Sequence, residues 1–242
     1  MLAQKPKAVL FDFGGTLIEN GPPDTLGALE ALRLAAKNPE VTTADKLYAL
    51  WKALHKKLDE SVTGVRNVGV EISLTATLRN ILDAAGLVYD ISLTECGIIL
   101  DTAHFPQRRA AKNIAVLLEK LKEQDIRSAV ISNTTMNAAE MGAAVERFLP
   151  NNDFAWIMTS ADYIFMKPDA AMFEIAAKRL GVQPEDCLYC GDSFANDVEG
   201  PMAVGMTGLL YQIRAAAPIE QKQLNGKPYL VINDWLELAN IL

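Results

Sequence analysis

Apolar residues fall along the chain in two alternating rhythms. Six short runs are almost unbroken in apolarity, at residues 7–13, 127–132, 154–159, 187–191, 207–211 and 228–232. Runs of this length and content read as strands covered on both faces, the pattern of a parallel sheet layered by helices. Between them, apolar positions recur at helical spacing over about 107–124, 136–148, 170–180, 196–203 and 234–241. The alternation predicts an α/β fold, a Rossmann-like doubly wound parallel sheet.

One interval breaks the rhythm. From Leu17 to Phe105 no strand-like run occurs, and four helical patterns fill the space, at 24–36, 44–59, 73–85 and 93–103. The second follows an N-cap signal at Thr42 and Thr43. Gly64, Gly69 and Gly86 punctuate the joins. An insertion directly behind the first strand lies over the carboxyl ends of the strands, where open α/β sheets bind ligands. The predicted organisation is a Rossmann-like core of residues 1–16 and 106–242 with a helical cap of residues 17–105.

Composition narrows the task without naming it. The 242 residues are 50% apolar and 22% charged, which excludes a disordered or collagen-like chain. Asp and Glu number 30 against 23 Lys and Arg, a net charge of −7 that argues against nucleic acid or an anionic membrane as the partner. The longest stretch free of charge, from Gly200 to Ile213, is too short to span a bilayer. Cys96, Cys187 and Cys190 form an odd set without framework spacing. With no secretion-signal pattern ahead of Asp12, they point to a reducing compartment, and the cytoplasm is the expected location.

Chemistry concentrates at the ends of the predicted strands. Phe11-Asp12-Phe13-Gly14-Gly15-Thr16-Leu17 places a carboxylate at the tip of the first strand, followed by two glycines that permit tight turning. Asp12 there suits a nucleophile, a metal ligand or both, or equally an Asx-turn. Val130-Ile131-Ser132-Asn133-Thr134 ends the second strand with a hydroxyl and backbone donors suited to phosphate oxygens. Met166-Lys167-Pro168-Asp169 sets a lysine before a proline fit for a first helical turn. Gly191-Asp192-Ser193-Phe194-Ala195-Asn196-Asp197 supplies two acids whose hard oxygens suit Mg²⁺.

Taken together and in this order, the four segments resemble the signature motifs of the haloacid dehalogenase-like hydrolase superfamily. The resemblance spans the chain, since the helical insertion is similar to that superfamily's mobile cap. It implies Mg²⁺-dependent hydrolysis of a small phosphorylated metabolite, with Asp12 as the nucleophile that forms an aspartyl-phosphate. Ser132, Asn133 and Lys167 are implied to hold the phosphoryl group, and Asp12, the Gly14 carbonyl, Asp192 and Asp197 the metal, the last directly or through water.

The resemblance departs at Gly14, where phosphatases of the superfamily carry a second Asp as acid and base. A positioned proton donor is worth roughly 10²–10⁴-fold. Two other readings stay open: displacement at carbon by Asp12, as in the dehalogenases, and a member with weakened turnover that binds phosphate or a protein. Glu19 is the nearest replacement acid in sequence, though a place in the hinge suits it better. Arg66 and Arg79 are candidate substrate contacts, more readily read as solvated charges. His55 and His104 read as surface or cap residues, and Trp51–Leu58 as a cap helix with one packed face. In a strand, Cys187 and Cys190 face opposite ways, so packing outweighs redox chemistry. The oligomeric state is left open.

Overall fold

The computed structural model describes residues 4–62 and 71–242. In chain order the elements are β1 (Ala8–Phe11), β2 (Ile18–Glu19), α1 (Thr25–Leu34), α2 (Ala44–Val62), α3 (Leu74–Ala85), α4 (Leu93–His104) and β3 (Arg109–Ala110). Then follow α5 (Ile114–Glu123), β4 (Arg127–Ser132), α6 (Ala138–Phe148), β5 (Phe154–Thr159), α7 (Ser160–Tyr163) and α8 (Ala170–Leu180). The last are β6 (Cys187–Gly191), a π-helical turn (Phe194–Glu199), α9 (Gly200–Ala203), β7 (Thr207–Tyr211), β8 (Ile219–Leu224), β9 (Lys227–Ile232) and α10 (Trp235–Ile241).

A seven-stranded sheet in the order β5-β4-β1-β6-β7-β9-β8 forms the centre. All neighbours are parallel except β8, which returns antiparallel along β9. Strand β1 lies in the middle, flanked by β4 and β6, so the ends of these three strands meet at one place. Side chains of β1 divide by parity: Val9 and Phe11 enter the larger core with α5 and α10, whereas Ala8 and Leu10 pack against α8. This two-sided burial is why β1 carries no polar face.

Helices α1 to α4 lie between β2 and β3. Several of their termini are supplied by the sequence. Asp24 accepts from Gly27 N at 2.8 Å and caps α1, and Ser92 with Glu95 forms a capping box on α4. Gly86, at φ 71°, takes the left-handed position that ends α3. Leu29, Leu32, Leu47, Leu78 and Leu82 pack into the same continuous core as Phe11 and Trp235.

Four expectations change. The interval from Leu17 to Phe105 does contain a strand, because β2 pairs antiparallel with β3 in a second, two-stranded sheet. The helix expected from 107 starts at Ile114, since Arg109 and Ala110 are drawn into that pairing. The helix expected at 196–203 is a π-helical turn followed by the short α9. Pro168 stands ahead of the first turn of α8, whose N-cap is Asp169, accepting from Ala171 N at 2.9 Å. Gly64, Arg66 and Gly69 lie outside the described residues. No helix among the described residues is long and apolar enough to cross a membrane.

Candidate active site

Asp12 follows β1 directly, its N–H donating to the Cys190 carbonyl at 2.9 Å. The chain then turns sharply: Gly15 N donates to Ile18 O at 2.8 Å and Leu17 N to Phe13 O at 3.0 Å. Gly15 has φ 77°, and a Cβ there would stand 2.3 Å from Asp192 Oδ2. Position 15 therefore requires glycine on account of its φ. Position 14 does not. Its φ lies outside the left-handed range, and a Cβ there would meet only Asn20 Nδ2, at 3.5 Å.

Lys167 reaches into the same place from the loop before α8 and is buried. Its ammonium donates to Asp12 Oδ1 at 2.8 Å, Asp197 Oδ1 at 2.6 Å and the Tyr189 hydroxyl at 2.8 Å. Tyr189 in turn donates to Ile131 O at 2.9 Å. Burial alone disfavours a charged lysine, but the Asp12 and Asp197 carboxylates outweigh it and hold the ammonium above its usual pKa. Asn133 fixes the lysine's backbone from both sides, Oδ1 accepting from Lys167 N at 2.7 Å and Nδ2 donating to Lys167 O at 2.8 Å.

Oxygen atoms of Asp12, Asp192 and Asp197 lie within 4.8 Å of one another, a spacing that suits a metal ion. Asp197 is buried and spoken for, with Oδ1 on Lys167 and Oδ2 accepting from Ser193 N at 2.9 Å. Asp192 stands at the exposed rim. Loss of part of its hydration and the charges of Asp12 and Asp197 raise its pKa to about 6. Three carboxylates against one ammonium leave an excess of negative charge, and the donors are all oxygen.

Beside this cluster opens a pocket of about 360 Å³. One wall is Asp12, Phe13, Gly14 and the segment from Ser132 to Met136, and the other is Trp51, Leu74, Leu100, Asp101, His104 and Phe105. Ser132 closes β4 at the pocket floor. The helical segment meets the sheet's loops directly, Leu74 N donating to Thr135 O at 2.6 Å and Glu71 N to Ile164 O at 3.0 Å.

The other residues considered in the sequence take the following places. His104 lines the pocket, and burial lowers its pKa, so the ring is neutral near pH 7. Trp51 also faces the pocket, with His55 stacked on it at 4.5 Å between ring centroids. Glu19 pairs with Arg109 across the β2–β3 ladder and is not among the pocket's residues. Arg79 is exposed on α3. Cys187 and Cys190 pack into opposite cores as free thiols, as the strand parity requires.

Tyr189, Asn20, Asp101 and Arg108 belong to the site without having been singled out. For Tyr189 a signal existed, since a tyrosine in mid-strand of a fully apolar run needs a buried partner for its hydroxyl.

The family model of the haloacid dehalogenase-like hydrolases matches residues 6–205. Glyceraldehyde 3-phosphate phosphatase of Methanothermobacter thermautotrophicus is 27% identical, covering 98% of this chain and 99% of its own length. Phosphoglycolate phosphatase of Pseudomonas putida is 25% identical, over 95% of this chain and 77% of its own. Among solved structures, 2-haloacid dehalogenase from Pseudomonas syringae pv. Tomato superposes with a TM-score of 0.61 at 23% identity, covering 98% of this chain and 97% of that one, a likeness of fold.

Proposed function

The chain belongs to the haloacid dehalogenase-like hydrolases, and we propose that within them it is a Mg²⁺-dependent phosphatase of a small phosphorylated metabolite. The observation that carries this reading is the cluster of Asp12, Asp192 and Asp197 around a single lysine. Displacement at carbon by Asp12 gains little from a cation, whereas phosphoryl transfer needs one to offset the charge of the phosphoryl oxygens. Phosphatases among the relatives that match over nearly the whole chain support the same choice.

In this reading Asp12, Asp192 and the Gly14 carbonyl would hold Mg²⁺, with Asp197 completing the set directly or through water. The cation, when bound, neutralises the phosphoryl group. Lys167 fixes one Asp12 oxygen and leaves the other to attack phosphorus. The ester P–O bond breaks, the leaving oxygen takes the electron pair, and an aspartyl-phosphate forms. Water then attacks the phosphorus, restoring Asp12 and releasing inorganic phosphate. Ser132 receives the phosphoryl oxygens, and Lys167, its hydrogen bonds already given, acts on them through its charge. Helices α1 to α4 serve as the cap, hinged where β2 and β3 pair, and their pocket face selects the rest of the substrate.

The reading is tested on a panel of phosphorylated metabolites assayed with Mg²⁺ and with chelator. Turnover confined to the Mg²⁺ arm is the expected result, and equal turnover in chelator overturns it. Binding of the metal is also measurable without catalysis. At a hundred times Kd, Mg²⁺ stabilises by about 2.7 kcal/mol, a rise in Tm of ~5–10 °C for a chain this size. Asp192→Ala should abolish the rise. The gain should also be larger at pH 7.5 than at pH 5. With Asp192 raised to about 6, the folded protein binds its proton more tightly than the unfolded chain does. Stability of the metal-free protein therefore falls as pH climbs to about 6, and a cation that replaces the proton gains over that range. A Tm gain that is flat with pH places the metal away from Asp192.

Gly14 gives a third expectation. The backbone there accepts a side chain and the space is open, so Gly14→Asp restores the proton donor that the superfamily's phosphatases carry. Hydrolysis of alkyl phosphates should rise by about 10²-fold, the lower part of what a positioned acid contributes. Unchanged or lower turnover in a variant of normal stability shows that proton delivery does not limit this enzyme.

A further inference from the structure

A chain of polar contacts leads from the helical segment to the empty space at Gly14. Asp101 of α4 accepts from both ends of the Arg108 guanidinium, Nη2 to Oδ1 at 2.9 Å and Nη1 to Oδ2. Arg108 is buried, with its guanidinium carbon 4.7 Å from the centre of the Phe105 ring, which fixes the plane of the fork. Its remaining edge, Nε, donates to Asn20 Oδ1 at 2.8 Å.

That last contact settles which way the Asn20 amide points. An arginine N–H only donates, so the Asn20 atom facing it has to be the oxygen, and the NH₂ group turns the other way. It turns toward Gly14: Nδ2 is the nearest atom to where a Cβ at Gly14 would stand, at 3.5 Å. Among the described residues Nδ2 meets no acceptor, and Asn20 lines the pocket beside Asp12. A donor is thus held, by a buried ion pair behind it, over the place left open by glycine.

We propose that Asn20 is a catalytic residue on the leaving-group side: its Nδ2–H hydrogen-bonds the ester oxygen of the substrate and stabilises the charge that develops there as the P–O bond breaks. The proposal rests on the phosphatase reading above and deepens it. As Asp12 attacks phosphorus, the bonding pair of the P–O bond passes to the leaving oxygen. Asn20 keeps its own proton, because an amide is far too weak an acid to give it up, and solvent water in the pocket delivers the proton that makes the alcohol. The favoured substrates are therefore small phosphate monoesters whose alcohol is acidified by a neighbouring polar group. Asp101 and Arg108 are positioning residues that act through Asn20.

The donor role separates from a structural one by leaving-group dependence of kcat/KM, which reports the steps up to expulsion of the alcohol. Two variants are compared on p-nitrophenyl phosphate and on a series of alkyl phosphates. Asn20→Ala removes the donor. Asn20→Asp keeps the shape and the acceptor for Arg108 and replaces the donor by an anion. Both should lose about 10–100-fold on alkyl phosphates and less than about 3-fold on p-nitrophenyl phosphate, whose leaving group carries its own charge. The dependence on leaving-group pKa should steepen accordingly. A uniform loss on all esters, or full alkyl phosphate turnover by Asn20→Asp, overturns the Asn20 assignment and leaves the phosphatase reading intact. Wild-type protein that hydrolyses none of these esters with Mg²⁺ overturns both.

Discussion

Asp12→Asn should lower phosphate-ester turnover by about 10⁴-fold or more, the scale on which removal of a covalent nucleophile is felt. The fold should barely register the change. Asparagine has the same shape, its amide oxygen still accepts from Lys167, and one negative charge leaves a crowded acidic cluster. The two measurements together separate chemistry from stability: kcat collapses while Tm stays within a few degrees. Beryllium fluoride with Mg²⁺ mimics the aspartyl-phosphate and should raise the Tm of the wild type by mass action, but not that of Asp12→Asn. Equal stabilisation of both proteins would place the acceptor of the phosphoryl group on another residue. Retention of a tenth of the activity would do the same.

Which parts of this site the sequence discloses depends on how each part is built. Asp12, Ser132 and Asp192 stand at or just beyond strand ends, where an apolar run stops on a polar residue, and a chain read from left to right shows such stops. The boundaries of β4, β6 and β7 fall where the apolar runs do because both faces of these strands are buried, so nearly every position in them is under the same constraint. Strand β5, at the sheet's edge and only partly covered, keeps enough apolar character to be read the same way.

Strand β8 escapes that logic. Its Ile-Glu-Gln-Lys-Gln-Leu carries an edge strand's polar surface, and only the turn betrays it: Asn225 and Gly226, with φ 51° and 77°, make the Asn-Gly hairpin between β8 and β9. Strands β2 and β3 are two residues each, below the length at which alternation has meaning, and they exist because the two ends of the helical segment return to one point.

The Asp101–Arg108–Asn20 chain could not be read from the sequence at all. Asn20 and Arg108 stand 88 positions apart and meet only because β2 and β3 pair beside them. Nothing local distinguishes Arg108 from its neighbour Arg109, yet Arg108 is buried on Asp101 and Arg109 is exposed against Glu19. The difference is one of facing across a two-residue ladder. The same holds for Asn133: its place after a strand is legible, while its double hold on the backbone of Lys167, 34 residues away, is a tertiary fact.

Lys167→Met should be the most destabilising single change at the site, because the lysine's charge is what permits the carboxylates to be buried. Methionine fills nearly the same volume, so the loss is electrostatic and not one of packing. Asp197 is 1% exposed and gives one oxygen to Lys167, so in the variant that charge stands uncompensated inside the protein. Removing one partner of a buried ion pair costs about 3–5 kcal/mol. The pH dependence identifies the cause. Burial pushes the Asp197 carboxyl up from its ordinary value, the Lys167 ammonium pulls it back, and the Asp12 carboxylate adds to the upward push. Without the lysine the upward push is unopposed, so the folded variant holds a proton that the unfolded chain has already released. A folded-state acid with a raised pKa loses stability as pH rises, and regains it as pH falls toward that pKa. The deficit relative to wild type, measured by denaturant unfolding in chelator, should therefore be full at pH 7.5 and smaller by on the order of 1–2 kcal/mol at pH 5. A deficit that does not change with pH assigns the loss to packing, and a variant with the wild-type unfolding midpoint at both pH values shows that Lys167 does not hold the carboxylates together.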